Sequence, residues 1–208
     1  MHRKIIPTGS IAANCAVLWN DDSCWIVDPG QDAADILAFL DEHSLRPALV
    51  ALTHGHFDHI GGLPGILERY PDLPVHVAAE DIPYIGNPMN AWPPDYECVA
   101  RPATLIGDLK DGMTLSAGGV SARVLSTPGH TPGSVCLLFE DADGALLLSG
   151  DTLFAGSCGR TDFPGGSMAA MKASLARLAK LPPETVVQPG HGATTTIGRE
   201  VASNPYMG

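Results

Sequence analysis

No stretch of this 208-residue chain comes near the roughly 20 consecutive apolar residues that a helix needs to cross a bilayer, so no helical membrane span is expected. Basic residues are scarce. Twelve Lys+Arg against 23 Asp+Glu leave a formal net charge of −11, a surface that repels phosphate backbones, so nucleic acid is not an expected partner. Charged residues make up only 17 % and hydrophobic residues 45 %, a balance that excludes a disordered chain. The five cysteines (Cys15, Cys24, Cys98, Cys136 and Cys158) are odd in number and form no C-x-x-C pair. They read as small core residues of a reduced, intracellular protein rather than as a disulfide scaffold. There is no low-complexity tract and no strong linker, so one domain over residues 1–208 is expected. The opening MHRKIIPTGSIAANCAVLW places basic residues before apolar ones, but Pro7, Thr8, Gly9, Ser10 and Asn14 interrupt the run. No cleaved export signal is expected, and the location inferred is cytoplasmic.

What is present is a series of short runs rich in Val, Leu and Ile. They lie at 16–19, 25–27, 49–52, 75–77, 122–125, 135–139, 145–148 and 185–188, and read as strands. Helical spacing intervenes. Ile36, Leu37 and Leu40 follow Asp32, and Leu63, Ile66 and Leu67 repeat the pattern. Ser167 is placed to cap a helix whose Met168, Met171, Leu175 and Leu178 share one stripe, read as core. Residues 83–102 are proline-rich without a period and are expected to form a long surface loop or lid. Strands and helices that intersperse in this way predict an α/β fold.

The strand-like runs end in chemically loaded turns: IVDPG, ALTHGH, LSTPGH, LLSGDT and VVQPGH. In α/β sheets the loops after strand ends are where sites assemble. TPGH at 127–130 and QPGH at 188–191 repeat one another, which hints at two related halves, and the glycine before each histidine permits an unusual turn. The densest turn reads T-H-G-H-F-D-H over residues 53–59. Imidazoles crowded onto one point repel if protonated, and are explained if a cation holds them neutral. His54 and His56, two apart in extended chain, put both rings on one side. Asp58 and His59 follow as the chain turns into a helix expected to begin near Gly61, and point to a second centre.

Imidazole and carboxylate suit zinc or iron. His54, His56, His130 and Asp151 make one four-ligand set, and Asp58, His59, His191 and Asp151 the other, with Asp151 bridging. Two divalent cations roughly 3.5–4 Å apart suit a hydrolytic centre. Zinc is the leading expectation, and iron or manganese also fit. His2, His43 and His76 read as ordinary surface histidines.

In its order THGHFDH, PGHTPG, SGDTLF and PGHG, the chain resembles the metallo-β-lactamase superfamily over nearly its whole length. GRTDFPGGS at 159–167, QPGHGATTTIGRE at 188–200 and Asn204-Pro205 also resemble the short type II glyoxalases, the hydroxyacylglutathione hydrolases. The resemblance implies a four-layer αββα sandwich with the metals at one edge of two sheets. It places the seven residues above on the family's ligand positions, and Asp28 on a position that orients a ligand by hydrogen bonding. It puts Arg160 near a basic residue that meets the glutathione tail; the alternative for Arg160 is an ion pair with Asp162. The activity implied is hydrolysis of a small-molecule thioester, such as S-lactoylglutathione, by metal-bound hydroxide, with Asp58 helping to position the nucleophile. SCGRTDF also resembles the one-iron persulfide dioxygenases, and a lactonase or other ester hydrolase would use the same centre.

Overall fold

The computed structural model describes residues 1–90, 96–142 and 144–207. Two six-stranded mixed sheets dominate it. The first contains β1 (His2–Thr8), β2 (Ala13–Asn20), β3 (Ser23–Val27), β4 (Arg46–Ala51), β5 (Val75–Val77) and β6 (Leu105–Gly107), in that spatial order. β1, β2 and β3 are antiparallel neighbours, while β3 to β6 run parallel, joined through α1 (Ala33–Glu42), α2 (Phe57–Ile60) and α3 (Leu63–Arg69). The second sheet draws on β7 (Thr114–Ala117), β8 (Val120–Ser126), β9 (Val135–Asp141), β10 (Gly144–Gly150), β13 (Val186–Pro189) and β14 (Thr195–Thr196). A hairpin, β11 (Leu153–Phe154) and β12 (Ser157–Cys158), and helices α4 (Met168–Leu178) and α5 (Ile197–Ser203) complete it.

Side-chain alternation explains the layering. In the first sheet Val17, Ile26 and Val50 face one way, onto Ile36 and Leu40 of α1 and Leu63 and Ile66 of α3. Their neighbours Leu18, Trp25 and Leu49 face the other way, onto Val124, Leu137, Phe139 and Leu148 of the second sheet. The outer face of that sheet (Leu125, Cys136, Leu138, Leu147 and Val187) packs on Met171, Leu175 and Leu178 of α4 and Ile197 of α5. Three apolar seams therefore bind four layers, α, β, β and α. Strands buried on both faces need apolar residues at every position, which is why they read as unbroken runs. Leu137 is fully buried in the middle seam, so Leu137→Ala is expected to cost about 2–5 kcal/mol in urea unfolding. A cost below about 1 kcal/mol would mean that this seam is loosely packed.

Several expectations need correction. The helix expected near Gly61 is α3, capped at Gly62, but a separate helical turn at Phe57–Ile60 precedes it, so Asp58 and His59 already lie in a helix. Met168 is 40 % exposed rather than core, although Ser167 does cap α4 through the Ala170 amide at 3.3 Å. Cys15, Cys24 and Cys136 are buried as expected, whereas Cys98 is exposed and Cys158 is partly so. TPGH and QPGH both follow strands of the second sheet, so they do not mark one half each. Of residues 83–102, the first two end a 3₁₀ segment (Ala79–Tyr84), a second 3₁₀ turn covers Pro88–Asn90, and residues 91–95 lie outside the described residues. Among the described residues no helix is long and apolar enough to cross a membrane.

Candidate metal centre

Five strands, β3, β4, β8, β10 and β13, deliver their carboxyl ends to one edge of the sandwich. The turns that follow them carry Asp28, His54 and His56, His130, Asp151 and His191, and α2 adds Asp58 and His59. The start of β2 clamps the last turn. The Asn14 amide donates to Gly190 O at 2.7 Å, and Asn14 Nδ2 donates to Pro189 O and Gly192 O, each at 3.0 Å. The two PGH glycines serve different ends. Gly129 has φ +149°, where a side chain is strained, and a Cβ there would also lie 2.5 Å from Met171 Cα. Gly190 keeps an ordinary φ, but a Cβ would stand 2.3 Å from Asp151 Oδ1 and 2.8 Å from His59 Cε1. The second glycine makes room for the site rather than for the turn.

The side chains converge as two groups. His54, His56 and His130 form one and Asp58, His59 and His191 the other, each with candidate ligand atoms within 4.8 Å of one another. Asp151 lies between them. Its Oδ1 is 3.4 Å from His59 Nε2, and its Oδ2 is 3.6 Å from His130 Nε2 and 3.8 Å from His191 Nε2. His54, His56, Asp58, His59 and His130 are buried, and Asp151 and His191 are partly so.

Hydrogen bonds on the outer ring nitrogens set how the histidines face. Thr53 Oγ1 donates to Asp28 Oδ2 at 2.6 Å, so it is left to accept from His54 Nδ1 at 3.1 Å. His59 Nδ1 donates to Asp28 Oδ2 at 3.0 Å, His130 Nδ1 to Arg160 O at 2.7 Å, and His191 Nδ1 to Ile11 O at 3.2 Å. All four turn Nε2 to the interior, where that of His191 donates to Asp58 Oδ2 at 2.9 Å and that of His59 lies 3.4 Å from both Asp58 Oδ2 and Asp151 Oδ1. His56 presents Nδ1, 2.8 Å from His130 Nε2. Asp28 has both oxygens occupied, because Oδ1 accepts the Thr53 amide at 2.7 Å. It therefore acts on the histidines rather than as a ligand, although its atoms also cluster with His54 and His59. Its φ of +51° is rare for a residue with a side chain, and such backbone strain concentrates at functional sites.

The field differs across the site. Burial, reinforced by neighbouring histidines, pushes His54 well below the usual range and His56 down to about 3. Burial would depress His59 too, yet Asp58, Asp151 and Asp28 hold it well above. Burial would raise Asp58, but His59 and His191 hold it far below the ordinary carboxylate range. The first group thus holds His54 and His56 as neutral nitrogens, and the other is a carboxylate-rich socket that favours positive charge. His54 Nε2, His59 Nε2 and Asp151 Oδ1 are buried without a hydrogen-bond partner. Orphaned polar atoms are costly in a protein interior, and cations coordinated at both groups would satisfy these three. The residues fit a pair of divalent metals.

Arg160 sits at the rim. Its guanidinium makes a two-pronged pair with Asp162, both bonds at 2.7 Å, and lies 3.9 Å from the Phe163 ring centre. The Phe163 ring is in turn 5.8 Å from that of His56. The sequence reading missed Thr53, whose hydroxyl links Asp28 to His54. A threonine before H-x-H carries no signal of its own until the Asp28 turn is brought beside it.

Residues 9–191 match the family described as the metallo-beta-lactamase superfamily. The chain belongs to that superfamily. It is 36 % identical to the probable metallo-hydrolase YqgX of Bacillus subtilis, covering 100 % of this chain and 98 % of that one. It is 30 % identical to the hydroxyacylglutathione hydrolase GloC of Haemophilus influenzae, covering 100 % and 98 %. Among solved structures it resembles the BLEG-1 B3 metallo-beta-lactamase, with a TM-score of 0.91 and 36 % identity over 99 % of both chains. The di-iron-bound form of TTHA1623 follows, with a TM-score of 0.82 and 37 % identity over 98 % and 99 %. ETHE1 from Myxococcus xanthus gives a TM-score of 0.78 and 27 % identity, covering 99 % of this chain and 84 % of that one. These likenesses place the chain among the metallo-hydrolases of the superfamily.

Proposed function

We propose that this protein is a binuclear metal-dependent hydrolase of thioesters, acting on an S-acylglutathione such as S-lactoylglutathione. The observation that carries the reading is Asp151, one carboxylate reaching both histidine groups. Bound there, two divalent cations would supply an activated water and an electrophilic pull on the thioester carbonyl. Water adds to the carbonyl carbon, the carbon–sulfur bond breaks, and acid and thiol leave. His54, His56, His130 and Asp151 would hold one cation, and Asp58, His59, His191 and Asp151 the other. Asp58 has a second task. Held ionised by His59 and His191, it is a poor base but a good acceptor, suited to orienting the attacking water. The likeness to GloC supports the thioester class.

Arg160 is assigned to a substrate carboxylate at the rim. That carboxylate must share the guanidinium with Asp162, and the Arg160 side chain is 51 % exposed. An exposed pair is worth at most about 1 kcal/mol, so Arg160→Ala is expected to lower kcat/KM on a glutathione thioester by up to about fivefold. The loss should fall on KM and spare a neutral thioester, because a remote contact binds ground and transition states alike. Equal losses on both substrates would remove Arg160 from substrate recognition.

Elemental analysis of purified protein beside turnover of S-lactoylglutathione tests the function. Two metals per chain with rapid hydrolysis is the expected result. One iron per chain, with oxygen uptake on a persulfide and no thioester turnover, would replace the reading with a dioxygenase. Hydrolysis of lactones but not thioesters would move it to an ester hydrolase.

A further inference from the structure

We propose that Asp81 is a positioning residue that joins the two loops carrying His54, His56 and His130 into one metal-binding face. The inference rests on the metal-centre reading above and adds a residue to it. Asp81 lies in the 3₁₀ segment Ala79–Tyr84 that follows β5, and it is fully buried. Its Oδ2 accepts the Gly55 amide at 2.9 Å and the Thr131 hydroxyl at 2.7 Å, and its Oδ1 accepts the Gly133 amide at 2.7 Å. Gly55 stands between His54 and His56 on the first sheet's loop. Thr131 follows His130 on the second sheet's loop. One carboxylate thus spans the seam that the metal must also span.

His56 is where this matters most. The other four histidines are each held by a hydrogen bond on the outer ring nitrogen. Among the described residues the side-chain hydrogen bond of His56 is with His130, inside the site. Its outer neighbours are two rings, Tyr84 at 5.3 Å and Phe163 at 5.8 Å, neither of which bonds a ring nitrogen. What fixes His56 instead is the backbone beside it. Both polar groups of Gly55 are taken: its N–H by Asp81, and its carbonyl by Asn90 Nδ2 at 2.8 Å. The glycines record the closeness of the fit. A Cβ at Gly133 would lie 2.5 Å from Asp81 Oδ1, and one at Gly55 would lie 2.9 Å from Asp81 O. Both loops are stripped of side chain where Asp81 enters. A carboxylate with three donors and no competing acceptor is difficult to replace, since an amide at the same place turns one acceptor into a donor.

Zinc binding to the full chain, stripped of metal with a chelator, tests the role apart from activity. The probe is Zn²⁺ in competition with a chromophoric chelator, at a temperature where circular dichroism shows the protein folded. The wild type is expected to bind two ions. Asp81→Asn should weaken one of them by about ten- to a hundredfold, the usual cost of losing an outer partner of a ligand, and leave the other near its wild-type affinity. Leu40→Ala, a destabilising change in the outer core, should lower the melting temperature and leave both affinities unchanged. Should Asp81→Asn fail to fold, Thr131→Val decides, with about a three- to tenfold loss expected at the same position. Unaltered zinc affinity in the folded variant, beside a wild type that binds two ions, would overturn the role of Asp81 alone. A wild type that binds no zinc, iron or manganese would overturn the metal centre and this role together.

Discussion

Replacing Asp151 by alanine is expected to empty both metal positions and to lower thioester turnover by more than a hundredfold. Loss of an outer partner costs roughly ten- to a hundredfold in metal affinity. Asp151 should cost more, because its two oxygens face both groups, at 3.4 Å from His59 Nε2 and 3.6 Å from His130 Nε2. Removing it also leaves His59, held protonatable by three carboxylates, with one fewer. His191→Ala offers the contrast. His191 belongs to one group only, so that variant should lose one metal and keep the other on His54, His56 and His130. Metal counted per chain by elemental analysis, beside circular dichroism, distinguishes the two. An Asp151→Ala protein that kept two metals and near-normal turnover would remove the bridge, and with it the observation on which the hydrolase reading stands.

How much of this was legible in the sequence follows from what each signal encodes. The strands buried on both faces, such as β3, β4, β9 and β10, appear as unbroken apolar runs because both seams demand it. β1 escaped notice because it lies at a sheet edge, where Arg3 and Lys4 are exposed and no apolar pattern is required. β6 and β7 are short and half-exposed, and they left as little trace. The seven residues that converge could be singled out because imidazole and carboxylate in such density have few other uses. Their pairing into a face was not, since it depends on sheet-to-sheet register. The partners of the ligands were least legible. Asp28 could be named through family resemblance, but Thr53 and Asp81 are single residues in ordinary surroundings. Their meaning appears only when Asp28 meets Thr53 across β3 and β4, and when the segment after β5 reaches the turn after β8. The repeated PGH misled for the same reason. One glycine answers to a backbone angle and the other to the space around Asp151, and three identical letters conceal two causes.

Asp28→Asn is expected to weaken zinc binding by about ten- to a hundredfold and to destabilise the metal-free fold. Asp28 accepts three hydrogen bonds, from the Thr53 amide at 2.7 Å, the Thr53 hydroxyl at 2.6 Å and His59 Nδ1 at 3.0 Å. Asparagine has one accepting oxygen, so its amide nitrogen must face a donor that it cannot satisfy. Each bond lost from a charged acceptor costs about 1.5–3 kcal/mol, a large share of the stability of an ordinary domain. The consequence travels through two histidines. A Thr53 hydroxyl no longer committed to Asp28 is free to turn and donate to His54, while His59 loses the acceptor that keeps its proton on Nδ1. Either change moves a proton onto the nitrogen that should bind metal. Asparagine tolerates the φ of +51° at this position, so the substitution isolates the charge from the backbone strain, whereas Asp28→Ala would combine them. Nitrogen-15 NMR of the histidine rings in the metal-free protein reads the tautomers directly. His54 carrying the Nδ1 proton in the wild type, and losing that preference in Asp28→Asn together with zinc affinity, is the expected pair of results. Unchanged tautomers with weakened zinc binding would show that Asp28 acts through its charge alone, and unchanged zinc binding would remove it from the site.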